Sequence, residues 1–298
     1  MSQGLPRRLE RVRFARFSEA ELRADWWLRV RVGILTSIEI RHRYFVRALC
    51  ARLKVVAVAY EDVGYSPAEF DGAGLTPAEV RIVRDHFAER TRQEAVFFGA
   101  DCDFIPDSPG CPVLRLPFGT LNTDETVAFL KTAAVDIVVV YGTNLIKPPL
   151  LGAWPGRMVN MHLGLSPYYR GTGTNFYPLL NEEPEYVGAT VHLLDAGIDS
   201  GPIFAHARPE IVARDTPHTI GCKAILAGID KMLEVLNDFA SGGRVAVPQW
   251  DVSNPRLYLR RDYSPTQVVE LHRKVADGLI PRYVARAPRV AGRLRLIE

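Results

Sequence analysis

Cysteine is scarce and badly placed for chemistry in this 298-residue chain: Cys50, Cys102, Cys111 and Cys222 are scattered, with no Cys-x-x-Cys pair. Neither a thiolate zinc site nor a disulfide framework fits that spacing, so the thiols read as buried and reduced. No apolar run approaches a membrane span, and the residues after Met1 carry Arg and Glu where an apolar leader would stand. A cytoplasmic protein without membrane attachment is the expectation. Charge of one sign is also lacking: the net charge is +3. That small excess leans toward anionic small ligands and gives no ground for a nucleic-acid partner. The first apolar run is followed by SIEIRH, so the G-x-G-x-x-G turn of a dinucleotide site is missing. Asp195 and Asp199 lack the spacing of a calcium loop, and no metal is expected.

What is present alternates between strand-like and helix-like segments. Residues 30–36 (VRVGILT) and 54–60 (KVVAVAY) are continuous apolar runs of buried-strand type, and residues 41–53 between them read as a helix. Strand, helix, strand is the opening of a parallel sheet. Thr76, Pro77 and Glu79 are a helix start, with a cap, a first-turn proline and a capping-box acid, and the helix runs to about Phe98. On it His86, Arg90 and Glu94 share a face. They read as a solvated, salt-bridged surface, with a ligand role for His86 and Arg90 as the alternative. A short strand over 112–116, a helix over 124–134 and a buried strand over 136–141 follow. Asp215, Thr216 and Pro217 start a helix to about Ala240, and Pro265 opens another in the tail. Arg256, Arg260 and Arg261 suit either a phosphate or a plain solvated patch.

The densest stretch runs from Arg157 to Phe204. Asn160 and His162 lie two apart on a strand-like run, so their side chains point the same way. Asp199 sits between Gly197 and Gly201, where backbone can approach a ligand. An amide, an imidazole and a carboxylate form a workable set for acyl transfer. Singly, each has a structural reading: a turn residue, a satisfied core histidine and a turn cap.

These residues carry a resemblance. NMH at 160–162, LSPYYRG at 165–171 and GATVHLLDAGIDSGPI at 188–203 together resemble the folate-dependent formyltransferases, which include methionyl-tRNA, glycinamide-ribonucleotide and amino-sugar enzymes. The resemblance implies an α/β fold with a doubly wound, mostly parallel sheet. It implies a catalytic domain over 29–243, between a helical N-terminal extension (1–28) and a C-terminal extension (244–298). Within 1–28, the Trp26-Trp27 pair suits a homodimer or partner contact, or packing on its own domain. The co-substrate implied is N10-formyltetrahydrofolate, and the partner is a small-molecule amine acceptor. Asn160 and His162 would donate to the oxygen that becomes negative, and Asp199 would orient the ring and relay a proton. Tyr141, Gly142, Thr143, Asn144, Leu145 and Ile146, with Leu194, Asp195 and Gly197, would hold the pterin. Tyr168, Tyr169, Arg170, Gly171 and Asn175 would line the acceptor pocket.

Two departures bear on the acceptor. The Gly-rich phosphate loop of glycinamide-ribonucleotide enzymes is missing after the first strand, and the tail is too short for the full C-terminal barrel of tRNA enzymes. A nucleotide-linked amino sugar is therefore the leading acceptor, with a tRNA enzyme of reduced tail and a formyl-tetrahydrofolate hydrolase as alternatives. The loop after His162 has Gly164 and Ser166 where relatives have Ser and Leu, and His192 stands where some relatives also have His.

Overall fold

A computed structural model describes residues 30–64, 72, 74–99, 110–240 and 243–298. The N-terminal extension, Cys102 and Gly242 lie outside the described residues.

The apolar runs become the centre of one sheet. β1 (Val32–Ser37), β2 (Val55–Glu61), β3 (Val113–Leu116), β4 (Ile137–Tyr141) and β5 (Met158–His162) pair in parallel. β7 (Ala189–Leu193) and β8 (Ile203–Ala207) extend the sheet antiparallel, giving the order β3-β2-β1-β4-β5-β7-β8. The sheet is buried on both faces, which is why β1 and β4 read as unbroken apolar runs. On one face pack α1 (Ile40–Cys50), α2 (Pro77–Phe98) and α6 (Pro217–Ala240), with a core that includes Phe45, Tyr141 and Met161. On the other pack α3 (Asp124–Thr132) and the single turn α4 (Leu150–Ala153), with Trp154 and Met158 in the core.

The order of strands sets where a ligand goes. From β1 the chain winds outward through β2 and β3, then returns to the other side of β1 with β4. At that reversal the connections leave in opposite directions, and a crevice opens beyond the strand C-termini. The capping box of α2 forms as its sequence predicts: the Thr76 hydroxyl accepts from Glu79 N and the Glu79 carboxylate accepts from Thr76 N at 2.7 Å.

The tail is knit into this body. β9 (Arg256–Tyr258) pairs with β6 (Tyr169–Gly171), and α7 (Pro265–Ala276) packs on α2 and on the short α5 (Tyr177–Leu180). α8 (Leu279–Val290) follows, and near the end of the chain the Ile297 carbonyl accepts from His206 N while Ile297 N donates to His206 Nδ1. Arg256 is bound by Glu183 at 3.1 Å, beside the Tyr169 ring.

Candidate active site

A cavity of about 750 Å³ opens where the strand order reverses. Strand alternation and one loop bring the three central groups together in it. Asn160 and His162 leave the same face of β5, and Asp199 reaches them from the loop between β7 and β8. The Asp199 Oδ2 atom lies 3.3 Å from His162 Nδ1, and its Oδ1 accepts from Asn160 Nδ2 at 3.5 Å. Gly171 N donates to Oδ2 at 2.9 Å, and all four residues border the cavity. Asp199 has φ 47°, a left-handed conformation in which Asp and Asn are enriched.

The electrostatics of the group are opposed. Burial pushes the Asp199 carboxyl up, but His162 and His192 outweigh it and hold the pKa far below the usual carboxylate range. Burial pushes the His162 ring down, and Asp199 offsets that only in part. Both ring nitrogens of His162 face acceptors, Asp199 at Nδ1 and the Tyr169 carbonyl at 3.1 Å from Nε2. Only the protonated ring donates to both at once. His192 donates through Nδ1 to the Leu193 carbonyl at 2.7 Å, which leaves Nε2 to accept from Asn160 Nδ2 at 3.1 Å. His192 thus fixes the amide from behind.

Gly164 explains one departure in the loop sequence. It has φ 148°, and a Cβ there would come within 2.7 Å of His162 Nε2 and 2.6 Å of Thr174 Cβ. A serine at 164 would displace the ring, so glycine at this place belongs to the present position of His162.

At one end of the cavity lie the loop residues Gly142, Thr143, Asn144, Leu145 and Ile146, facing Leu194, Asp195 and Gly197. Their rim is apolar, with Leu145 and Phe118 at 48% and 40% exposure. One residue organises this end and escaped sequence reasoning. Glu61, at the end of β2 and buried, accepts from Gly119 N at 3.0 Å, Leu121 N at 3.3 Å, Asn144 N at 3.3 Å and Asn144 Nδ2 at 3.0 Å. Nothing in its surroundings in sequence marks it, because its partners lie about 60 and 80 residues away. Gln249 was missed for the same reason: its amide donates to the Asp199 and Gly201 carbonyls at 2.7 and 2.9 Å and pins the loop.

Several expected residues are elsewhere. Tyr141 borders the cavity, but its ring turns to the α1 face, 4.8 Å from His42 and 5.1 Å from Phe45, away from the loop that follows it. Tyr168, Tyr169 and Arg170 are not in the cavity lining, whereas Gly171 and Asn175 are. Tyr169 is 1% exposed, bonds Glu183 through its hydroxyl and packs with Tyr186 and Tyr258. Tyr168 packs on Tyr186 and Trp250 and bonds the Arg295 carbonyl. Aromatic packing of the tail onto the body takes both tyrosines. His86, Arg90 and Glu94 are the reverse case, a face expected in solvent that borders the cavity, with His86 and Glu94 buried. The tail helix α7 and α6 cover that face of α2.

Fold and site together define an α/β protein with a ligand crevice at its strand reversal and an amide–imidazole–carboxylate group inside it. Residues 117–236 match the family model described as "Formyl transferase". A methionyl-tRNA formyltransferase from Synechococcus sp. (strain JA-3-3Ab) is 31% identical over 149 residues, 49% of this chain and 45% of that protein. The chloroplastic phosphoribosylglycinamide formyltransferase of Arabidopsis thaliana is 31% identical over 129 residues, 40% of this chain and 44% of that protein. The chain thus spans less than half the length of these curated relatives. The fold matches the crystal structure of glycinamide ribonucleotide transformylase 1 from Symbiobacterium toebii, with TM-score 0.50 and 22% identity over 74% of this chain and 94% of that one. Among the described residues no helix is long and apolar enough to cross a membrane.

Proposed function

We propose that the protein is an N-formyltransferase, moving a formyl group from N10-formyltetrahydrofolate to the amine of a small, hydroxyl-bearing molecule of amino-sugar type. The observation that carries this reading is the meeting of Asn160, His162 and Asp199 beside one cavity. The folate end fits its ligand by two features. Gly142 has φ 70°, and a Cβ there would lie 2.1 Å from His42 Nε2, so only a bare backbone follows this path. The exposed Leu145 and Phe118 suit a flat ring.

When bound, the folate supplies an acyl carbon activated by its attachment to N10. The Asn160 amide, half-buried at the cavity wall, would turn the hydrogen it directs at Asp199 over the long 3.5 Å contact to an oxygen gaining negative charge, while His192 keeps the other. Asp199, ionised, is the base that receives the proton of an attacking amine. His162, neutral at rest and with Nδ1 3.3 Å from that carboxylate, takes the amine proton on from Asp199 and gives it to the leaving nitrogen.

The test is turnover with formyl-tetrahydrofolate against free and nucleotide-linked amino sugars, hydroxylated amines and methionyl-tRNA, read as tetrahydrofolate release and product mass. Amine-dependent release is expected. Formate release at one rate with and without any acceptor would make the protein a hydrolase, and formylation of methionyl-tRNA alone would make it a tRNA enzyme.

A further inference from the structure

Away from the folate loops, the cavity runs toward α1, α2 and α6, and this end is built from paired charges. Glu94 has a side chain only 9% exposed. It accepts from Arg41 Nη1 at 3.0 Å to each oxygen and from Arg90 Nε at 2.9 Å. Glu39 bonds the other side of Arg41 and lies 3.6 Å from Arg90 Nη2. The quartet closes on itself with no net charge. The third cation of the wall, Arg260, lies over the Phe118 ring at 5.3 Å.

Among the described residues, these three arginines are the cationic side chains of the cavity lining, which has no lysine. They face six carboxylates: Glu39, Glu61, Asp62, Glu94, Asp195 and Asp199. His86 and His218 line the same end and add no charge at neutral pH, since burial drives them down to about 3 and about 4. The lining therefore carries an excess of negative charge. A phosphate entering it meets repulsion, and recruiting Arg41 or Arg90 would strip a buried carboxylate of its partners.

Uncharged polar groups point the other way. His42 Nδ1, the Tyr141 hydroxyl and Asn175 Nδ2 are buried and make no hydrogen bond, His42 Nδ1 lying 3.7 Å from Glu39 Oε2, and all three residues line the cavity. His42 is 3% exposed, and burial together with Arg41 and Arg90 keeps its ring neutral. Buried polar groups are normally satisfied, so these orphans mark places for ligand hydroxyls.

Building on the formyl-transfer reading, we infer that the acceptor is an unphosphorylated, hydroxyl-rich amine, a free amino sugar or amino polyol, and that phosphate- and diphosphate-bearing acceptors are excluded because Arg41 and Arg90 are already paired with Glu39 and Glu94 and the rest of the described lining is richer in carboxylates than in cations. This narrows the nucleotide-linked acceptor favoured by the sequence to its unlinked form.

Matched pairs test it: glucosamine against glucosamine 6-phosphate, and a free 4-amino sugar against its uridine-diphosphate conjugate. A kcat/KM at least about tenfold higher for the unphosphorylated member of each pair is expected. A preference for the phosphorylated member overturns the inference. Calorimetry with pyrophosphate gives a readout independent of turnover: no binding below about 1 mM is expected, and a Kd in the micromolar range overturns the inference. Glu94→Gln removes one charge from the quartet, and its pyrophosphate affinity should rise about tenfold. Glu39→Gln, at a half-exposed position, carries the same arm where Glu94→Gln fails to fold, and an unchanged affinity counts against the inference. Binding of 5-formyltetrahydrofolate is measured separately. Its loss would sink the formyl-transfer reading, while the pyrophosphate arm still decides the charge argument.

Discussion

The two ends of the cavity solve recognition with different materials. The end proposed for folate is mostly chain path: bare backbone at Gly142, two facing loops, an apolar rim and one hidden carboxylate, Glu61, that ties the loops together. The end proposed for the acceptor is mostly side chains: an ion quartet at α1 and α2, and three polar orphans on α1, β4 and the turn before α5. A surface made of backbone keeps its shape under most side-chain changes and suits a ligand that does not vary. A surface made of side chains is re-specified by one or two substitutions, as an end facing different amines requires. Asn160, His162 and Asp199 stand where the two ends meet.

That junction gives the largest expected effect. Asp199→Asn keeps the shape and tolerates φ 47°, yet it removes the negative charge that faces His162 and the base for the amine. Turnover should fall by about 10²–10³, the usual cost of one such group. Folate and acceptor binding, by calorimetry, should stay within about threefold, since neither end is touched. A variant with wild-type turnover would break the division into two ends and a centre.

Glu61→Gln should separate the ends by a smaller amount. An amide at 61 replaces one acceptor oxygen with a donor, which then faces the backbone N–H groups of the loops it now holds. An unsatisfied buried group costs about 1–3 kcal/mol, so folate KM should rise about tenfold or more. Acceptor KM should not follow. Equal rises in both would mean that the ends are one mechanical unit.

What could be read from the chain divides along the same line. The sheet was legible because β1, β2 and β4 are buried on both faces and leave continuous apolar runs. The turn after β4 was legible because a glycine, Gly142, follows a buried strand at its C-terminal end. The acceptor end was not. Helical spacing puts His86, Arg90 and Glu94 on one face, but it does not say whether water or α7 lies over that face. The same limit misplaced Tyr168 and Tyr169, whose cover comes from Trp250 and Tyr258, more than 80 residues on. His42 carried no signal, since a lone histidine in a helix gives no sign of an orphaned nitrogen.

The smallest effect lies in the wall of the acceptor end, where His86 of α2 meets His272 of α7 at 3.1 Å and His218 of α6 at 4.4 Å between rings. Burial pushes all three below their ordinary value, His86 to about 3 and His218 to about 4. Arg90 adds to the downward push on His86 and His218, while Glu89 and Glu94 oppose it at His218 and Asp85 opposes it at His272. An unfolded histidine titrates near 6.5, so below that pH the unfolded chain binds more protons than the folded one. Stability is then complete above about pH 6.5 and declines as pH falls toward the folded values near 4 and 3. His86 and His218 should each contribute about 1–2 kcal/mol of that decline by pH 5. Melting curves from pH 7.5 to 4.5 should show the fall, and His86→Gln should flatten it while leaving 5-formyltetrahydrofolate affinity at pH 7.5 unchanged. An equal slope in the variant would remove these rings as the source and leave the acceptor wall no more acid-sensitive than the folate loops.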